Sequence, residues 1–190
     1  MNATFSLSVL LCLSTASMLF CGDTESEPNE TPDTKEAPMA LSLHSTAFAA
    51  GEAIPKLYSC DGTDVSPPLK WEGAPEGTQC FALIMDDPDA PVGTWDHWVV
   101  INLPATTDSL PQAASSKNLL PGECYEGINS WGRTDYGGPC PPGGTHRYFF
   151  RLYALDKTLG FAKPPKKADV LSAAEGHIRA QAELMGTFSR

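Results

Sequence analysis

From Met39 onward the apolar residues come in short runs, each closed off by proline or glycine, and that punctuation limits most of the chain to strands and turns. Cys80–Met85 reads as a buried strand, Trp95–Leu103 as a second rich in Trp, Val and Ile, and Arg147–Leu155 as an aromatic third. The loops between them, Ser66-Pro67-Pro68, Asp87–Pro91 and Gly137–Gly144, are dense in Pro and Gly. With 16 glycines and 17 prolines in 190 residues, an antiparallel β domain is favoured over a helical bundle. One stretch departs from the pattern. Leu171, Ala174, Ile178, Ala182 and Met185 recur at helical spacing, so a C-terminal helix is expected over Ala168–Met185, dented by Gly176 and ended by Gly186.

Charge narrows the function classes. A formal net charge of −10 argues against a nucleic-acid binder, which needs a basic face to neutralise phosphates. Six acids lie between Gly22 and Pro38 against Lys35 alone, and residues 22–38 read as an acidic, disordered tether. Ahead of it, Phe5–Phe20 is apolar or small and uncharged, too short and too rich in serine for a membrane span. Residues 1–21 therefore read as a signal peptide, although no Lys or Arg precedes its apolar stretch. Two processing routes remain open: cleavage after the small residues Ser14-Thr15-Ala16, or lipidation of Cys21 in the degenerate lipobox Met18-Leu19-Phe20-Cys21. Export is expected either way, to a bacterial cell envelope as a periplasmic protein or a membrane-anchored lipoprotein. Residues 39–190 then form the domain, which meets a membrane only through such an anchor.

Export directs the reading of the cysteines toward disulfides. The domain holds Cys60, Cys80, Cys124 and Cys140, which allow three pairings. No C-x-x-C spacing supports a zinc knuckle or a thioredoxin-type motif.

Three segments concentrate groups able to do chemistry. Asp86-Asp87-Pro88-Asp89-Ala90-Pro91 leaves the first strand as a stiff acidic turn, whose carboxylates repel one another unless cations or donors neutralise them. The plainer reading is a solvated acidic turn. In Trp95-Asp96-His97-Trp98, strand alternation puts His97 on the face of Val99 and Ile101, with Asp96, Trp98 and Val100 opposite. In the third, a strand starting near Thr145 puts His146 and Tyr148 on one face and Arg147 on the other. A structural role for each histidine is the simpler reading unless the acidic turn lies beside them. No nucleophile elbow, P-loop or dinucleotide fingerprint is present. His97, His146, Asp87 and Asp89 have the right atoms for a metal but no ligand spacing, so no metal and no cofactor are expected.

Taken in order and spacing, these segments resemble the phosphatidylethanolamine-binding protein family, which includes the Raf kinase inhibitor proteins, and especially its bacterial branch. The resemblance covers nearly all of residues 41–187. It rests on Cys60-Asp61-Gly62 with Ser66-Pro67, Asp87-Pro88-Asp89-Ala90-Pro91, Trp95-Asp96-His97-Trp98, and Gly138-Pro139-Cys140-Pro141-Pro142 with His146-Arg147-Tyr148. It implies a mainly β fold, with a large central antiparallel sheet, a second smaller sheet packed on it, and a C-terminal helix. It further implies a small pocket for phosphate-like anions or phospholipid headgroups, with Asp87, Pro91, His97, His146 and Tyr148 on its positions and Asp89 and Arg147 in the same signatures. A Cys60–Cys140 disulfide is implied as well, leaving Cys80 and Cys124 as a second pair by default.

The resulting expectation is a binding or regulatory module without catalytic residues, in which Asp87 orients a histidine and does not touch the anion. Two alternatives accompany it: slow ester or phosphoester hydrolysis by a His/Asp pair, and inhibition of a partner enzyme whose identity the sequence does not give.

Overall fold

The structure is a computed structural model that describes residues 40–190. The expected signal peptide, the expected tether and the expected lipidation at Cys21 all fall outside the described residues.

Two antiparallel sheets form the frame. Strands β1 (Ser42–His44), β2 (Leu69–Glu72) and β5 (Ser109–Leu110) make the smaller one, in the order β1-β2-β5. The larger is built from β3 (Cys80–Asp87), β4 (Trp95–Pro104), β6 (Tyr125–Glu126), β7 (Thr145–Leu155) and β8 (Ile178–Ser189), ordered β6-β4-β3-β7-β8. β3 is buried along its whole length because it is central and covered on both faces. Phe81, Leu83 and Met85 face the core shared with Trp71 of the small sheet, together with Trp98, Val100, Tyr148 and Phe150. Ala82 and Ile84 face a second core, closed by Val99, Ile101, and Val170 and Ala174 of helix α1 (Lys167–Ala174).

The C-terminal helix is real but short, which corrects the expectation of a helix through Met185. Gly176 adopts φ +76, a left-handed conformation that suits glycine, and the helix is over. The rest becomes β8, paired with β7 from Thr145↔Ser189 to Leu155↔Ile178. Ala180, Ala182, Leu184 and Phe188 then point into the inter-sheet core at period two. Ala, Leu, Glu and Met favour a helix locally, but a complete ladder on a long neighbouring strand overrides that propensity.

Cys60 and Cys140 are joined by a disulfide. The default second pair is corrected: Cys80 and Cys124 are free thiols. Cys80 belongs to the core on the helix side, whereas Cys124 packs against the inter-sheet core, so the large sheet stands between them. Burial pushes both thiols up to about 11.

Candidate functional site

The acidic turn resolves its repulsion by giving each carboxylate its own cationic or polar partner. Asp86, directed to the helix side, binds both Arg151 and Lys167, with the Lys167 Nζ donating at 2.6 Å. Asp87, one residue on and therefore on the opposite face, accepts from His146 Nδ1 at 2.7 Å and from the Asp89 backbone N–H at 2.8 Å. Asp89 accepts from the Arg147 backbone at 3.0 Å and from its guanidinium at 2.9 and 2.7 Å, which holds the Asp89 carboxyl down at about 2. The plain solvated turn is thus excluded.

The position of His97 differs from simple alternation. β3 and β4 pair as Met85↔Trp98 and then Asp86↔Asp96, so His97 is the extra residue of a β-bulge. The bulge exchanges faces. Asp96 goes to the helix side, where it meets Lys167 at 3.2 Å, and His97 goes to the side of Asp87 and Tyr148, away from Val99 and Ile101. Its ring stands edge-on to Tyr148, with centroids 5.2 Å apart. A reciprocal clasp fixes it: Nδ1 lies 2.7 Å from the Gly137 carbonyl, while the His97 carbonyl accepts from the Gly137 N–H at 3.1 Å. Burial keeps the imidazole pKa below its ordinary 6.5, although the Gly137 carbonyl and the Asp87 charge pull the other way. His97 is therefore neutral at pH 7.

A cavity of about 190 Å³ opens where these groups meet. Asp87, His97 and His146 supply its polar lining, and Pro91 forms part of the wall. Tyr148 is fully buried behind His97. Its hydroxyl has no hydrogen bond of normal geometry; the Asp87 carboxylate and the Cys140 backbone are polar neighbours that fall short of one. Burial, then the charge of Asp87, pushes its pKa upward, so the phenol stays protonated.

The structure therefore brings together Asp87, Pro91, His97, His146 and Tyr148, and sets Asp89 and Arg147 apart. Those two pair with each other, and neither lines the cavity. The guanidinium instead lies over Phe149, 5.7 Å from the ring centroid. Together they staple the acidic turn to the start of β7 and so fix Asp87 opposite His146.

Sequence reasoning passed over the aromatic and disulfide walls. Trp95, Trp131, Cys140, Pro141 and Pro142 all line the cavity. Trp131 packs edge-on to both Trp95 and His97, at 5.4 and 4.9 Å. The loop that carries it is shaped by buried Asn129, whose Oδ1 accepts from the Trp131 and Arg133 N–H groups at 3.0 Å each. No local motif marks this. Among the described residues, no three His, Cys, Asp or Glu side chains are grouped to hold a metal ion.

Comparison with known proteins converges on one relationship. The family profile described as phosphatidylethanolamine-binding protein matches residues 44–189. A UPF0098 protein of Methanothermobacter thermautotrophicus is 45% identical over 150 residues, covering 79% of this chain and 99% of the relative. Among solved structures, the phosphatidylethanolamine-binding protein homologue CT736 of Chlamydia trachomatis superposes with a TM-score of 0.73 at 40% identity, covering 80% of this chain and 98% of its own. YbcL of Escherichia coli gives a TM-score of 0.75 at 32% identity, covering 80% and 99%.

Proposed function

This chain belongs to the phosphatidylethanolamine-binding protein family, and from that premise we propose that its cavity holds a small phosphate ester of the phospholipid-headgroup kind, without turning it over. The convergence of Asp87, His97 and His146 on one cavity, with Tyr148 packed behind His97, carries this reading. A volume of about 190 Å³ is below the 300–1,000 Å³ usual for drug-sized ligands and suits a headgroup, not an acyl chain.

Asp87 is an unsuitable neighbour for an anion unless it acts through another group. Its hydrogen bond from His146 fixes the ring with a proton on Nδ1 and leaves Nε2 as the ring atom free to meet a ligand. The buried, neutral His97 adds polar but uncharged surface, and the protonated Tyr148 backs it from within the core. The walls of Trp95 and Trp131 exclude water around the bound group, which strengthens each polar contact. Hydrolysis is disfavoured: among the described residues no serine, threonine or free thiol lines the cavity, and Cys140 is already bonded.

Export is part of the same proposal, as a periplasmic or lipid-anchored protein. It is supported by the apolar 5–20 segment and by a disulfide that needs an oxidising compartment.

Calorimetric titration with phosphoethanolamine and with inorganic phosphate tests the reading. Single-site binding of the ester, competed by phosphate and abolished in His146→Ala, is expected. No heat with either compound in mildly acidic buffer would overturn it.

A further inference from the structure

The cavity wall that contains Cys140 is tied down by one covalent bond. Upstream, the segment is well anchored: the Gly138 N–H donates to Asp64 Oδ1 at 2.7 Å, and the Cys60 N–H donates to the Pro139 carbonyl at 3.1 Å. Downstream, Gly144 and Arg190 exchange two backbone hydrogen bonds at 3.0 and 3.1 Å. Between these anchors, Cys140-Pro141-Pro142-Gly143 makes no backbone–backbone hydrogen bond to another loop among the described residues, and two of its residues lack an N–H to offer. Cys140, Pro141 and Pro142 nevertheless form cavity wall, and the Cys140 backbone neighbours the Tyr148 hydroxyl.

The charges around the disulfide are unequal. Arg190 Nη1 approaches Cys140 Sγ at 3.5 Å, and its Nη2 pairs with Asp61 Oδ1 at 2.9 Å. That same Asp61 oxygen lies 3.9 Å from Cys60 Sγ. A guanidinium beside one sulfur and a carboxylate beside the other favour negative charge on Cys140 and disfavour it on Cys60. Cys60 is exposed, whereas Cys140 is half-buried.

We infer that the Cys60–Cys140 disulfide is a redox-operated clasp on the cavity wall, opened by a dithiol reductant, with Arg190 setting its rate of opening. The thiolate of the dithiol attacks Cys60 Sγ. A mixed disulfide forms there, the Cys60–Cys140 bond breaks, and its electron pair leaves on Cys140 as a thiolate held by Arg190. The second thiol of the reductant, once deprotonated, closes on its own partner sulfur and releases Cys60 as a thiolate. The protein disulfide gains two electrons, the dithiol becomes a cyclic disulfide, and both cysteines end as thiols after taking up protons. The freed wall must then be ordered again before it can contact a ligand. The clasp stands independently of the ligand assignment; only its effect on affinity rests on the phosphate-ester reading.

Dithiothreitol applied to the full chain tests this, with alkylation at Cys60 and Cys140 followed by mass spectrometry and with tryptophan emission as a report on Trp95 and Trp131. Reduction is expected to shift the emission and leave the far-ultraviolet circular dichroism unchanged. It should also weaken phosphoethanolamine binding by about ten-fold, through the cost of ordering a loosened loop. Arg190→Gln, which keeps the backbone pairing with Gly144, should slow reduction by about three-fold, because the leaving Cys140 thiolate loses its guanidinium partner. Arg190→Lys should restore most of the rate. Loss of the whole circular dichroism signal on reduction would overturn the clasp in favour of a global staple. An unchanged emission would overturn its coupling to the cavity, and equal rates in Arg190→Gln and wild type would overturn the role of Arg190. If the oxidised protein ignores phosphoethanolamine while emission and rates behave as stated, the clasp stands and the ligand assignment falls.

Discussion

Replacing Asp87 by Asn isolates the charge at the centre of the proposed site while leaving the shape of the side chain intact. In the native protein one carboxylate oxygen accepts from the Asp89 N–H at 2.8 Å and the other from His146 Nδ1 at 2.7 Å, with both side chains nearly enclosed. A carboxamide has one oxygen for two donors. If that oxygen stays with Asp89, the amide NH₂ faces His146, and the ring can meet it only as a neutral imidazole with an unprotonated Nδ1. A hydrogen bond to a charged group is worth about 1.5–3 kcal/mol, and a neutral one about 1 kcal/mol. The difference is on the order of 1 kcal/mol. Calorimetry with phosphoethanolamine should then show affinity in Asp87→Asn reduced by roughly five- to ten-fold. An affinity equal to that of the wild type would refute the reasoning, since it would mean that the Asp87 charge does not reach the ligand through His146.

Other expectations follow from the same geometry. His97 has a folded-state pKa below the unfolded value of 6.5, so the unfolded chain binds the extra proton; its contribution to stability is complete above that value and lost as pH falls toward the folded pKa. Denaturant melts should therefore show stability declining below about pH 6.5 by up to about 1.4 kcal/mol per pH unit, with the slope flattened in His97→Asn. Two adjacent glycines should behave differently. A Cβ on Gly138 would overlap the Tyr58 carbonyl and crowd Ser59 Cα at 2.9 Å, both backbone, so Gly138→Ala should cost about 3 kcal/mol or more. At Gly137 the overlap is with the ring of half-exposed Trp131, which can swing aside, so Gly137→Ala should cost about 1 kcal/mol and disturb ligand binding more than folding. Thermal melts rank the pair, and the reverse order would refute the packing argument.

How far the sequence could be read depended on the distance over which each signal acts. β3, β4 and β7 were legible because apolar runs closed by Pro and Gly are local, and the common face of His146 and Tyr148 followed from strand alternation. β8 was misread because its Ala, Glu and Leu residues carry a helical preference, while the partner that overrules them lies some thirty residues upstream in β7. His97 was assigned to the wrong face because a bulge is set by the register of two strands and leaves no mark in the composition of either. Cys124 and Cys80 looked like a pair by count, yet a count does not register the sheet that divides them. Trp131 reached the cavity through the hydrogen bonds of Asn129, which no periodicity encodes.

The inserted position in β4 means that the side of the sheet on which an imidazole appears is decided by arithmetic, not by side-chain chemistry. Shortening the strand by one residue before Trp98 would keep Trp98, Val99 and Val100 seated as they are, yet deliver whatever precedes them to the opposite surface. The chemistry of this protein is thus governed by strand length at a place where scanning substitutions one at a time would never look.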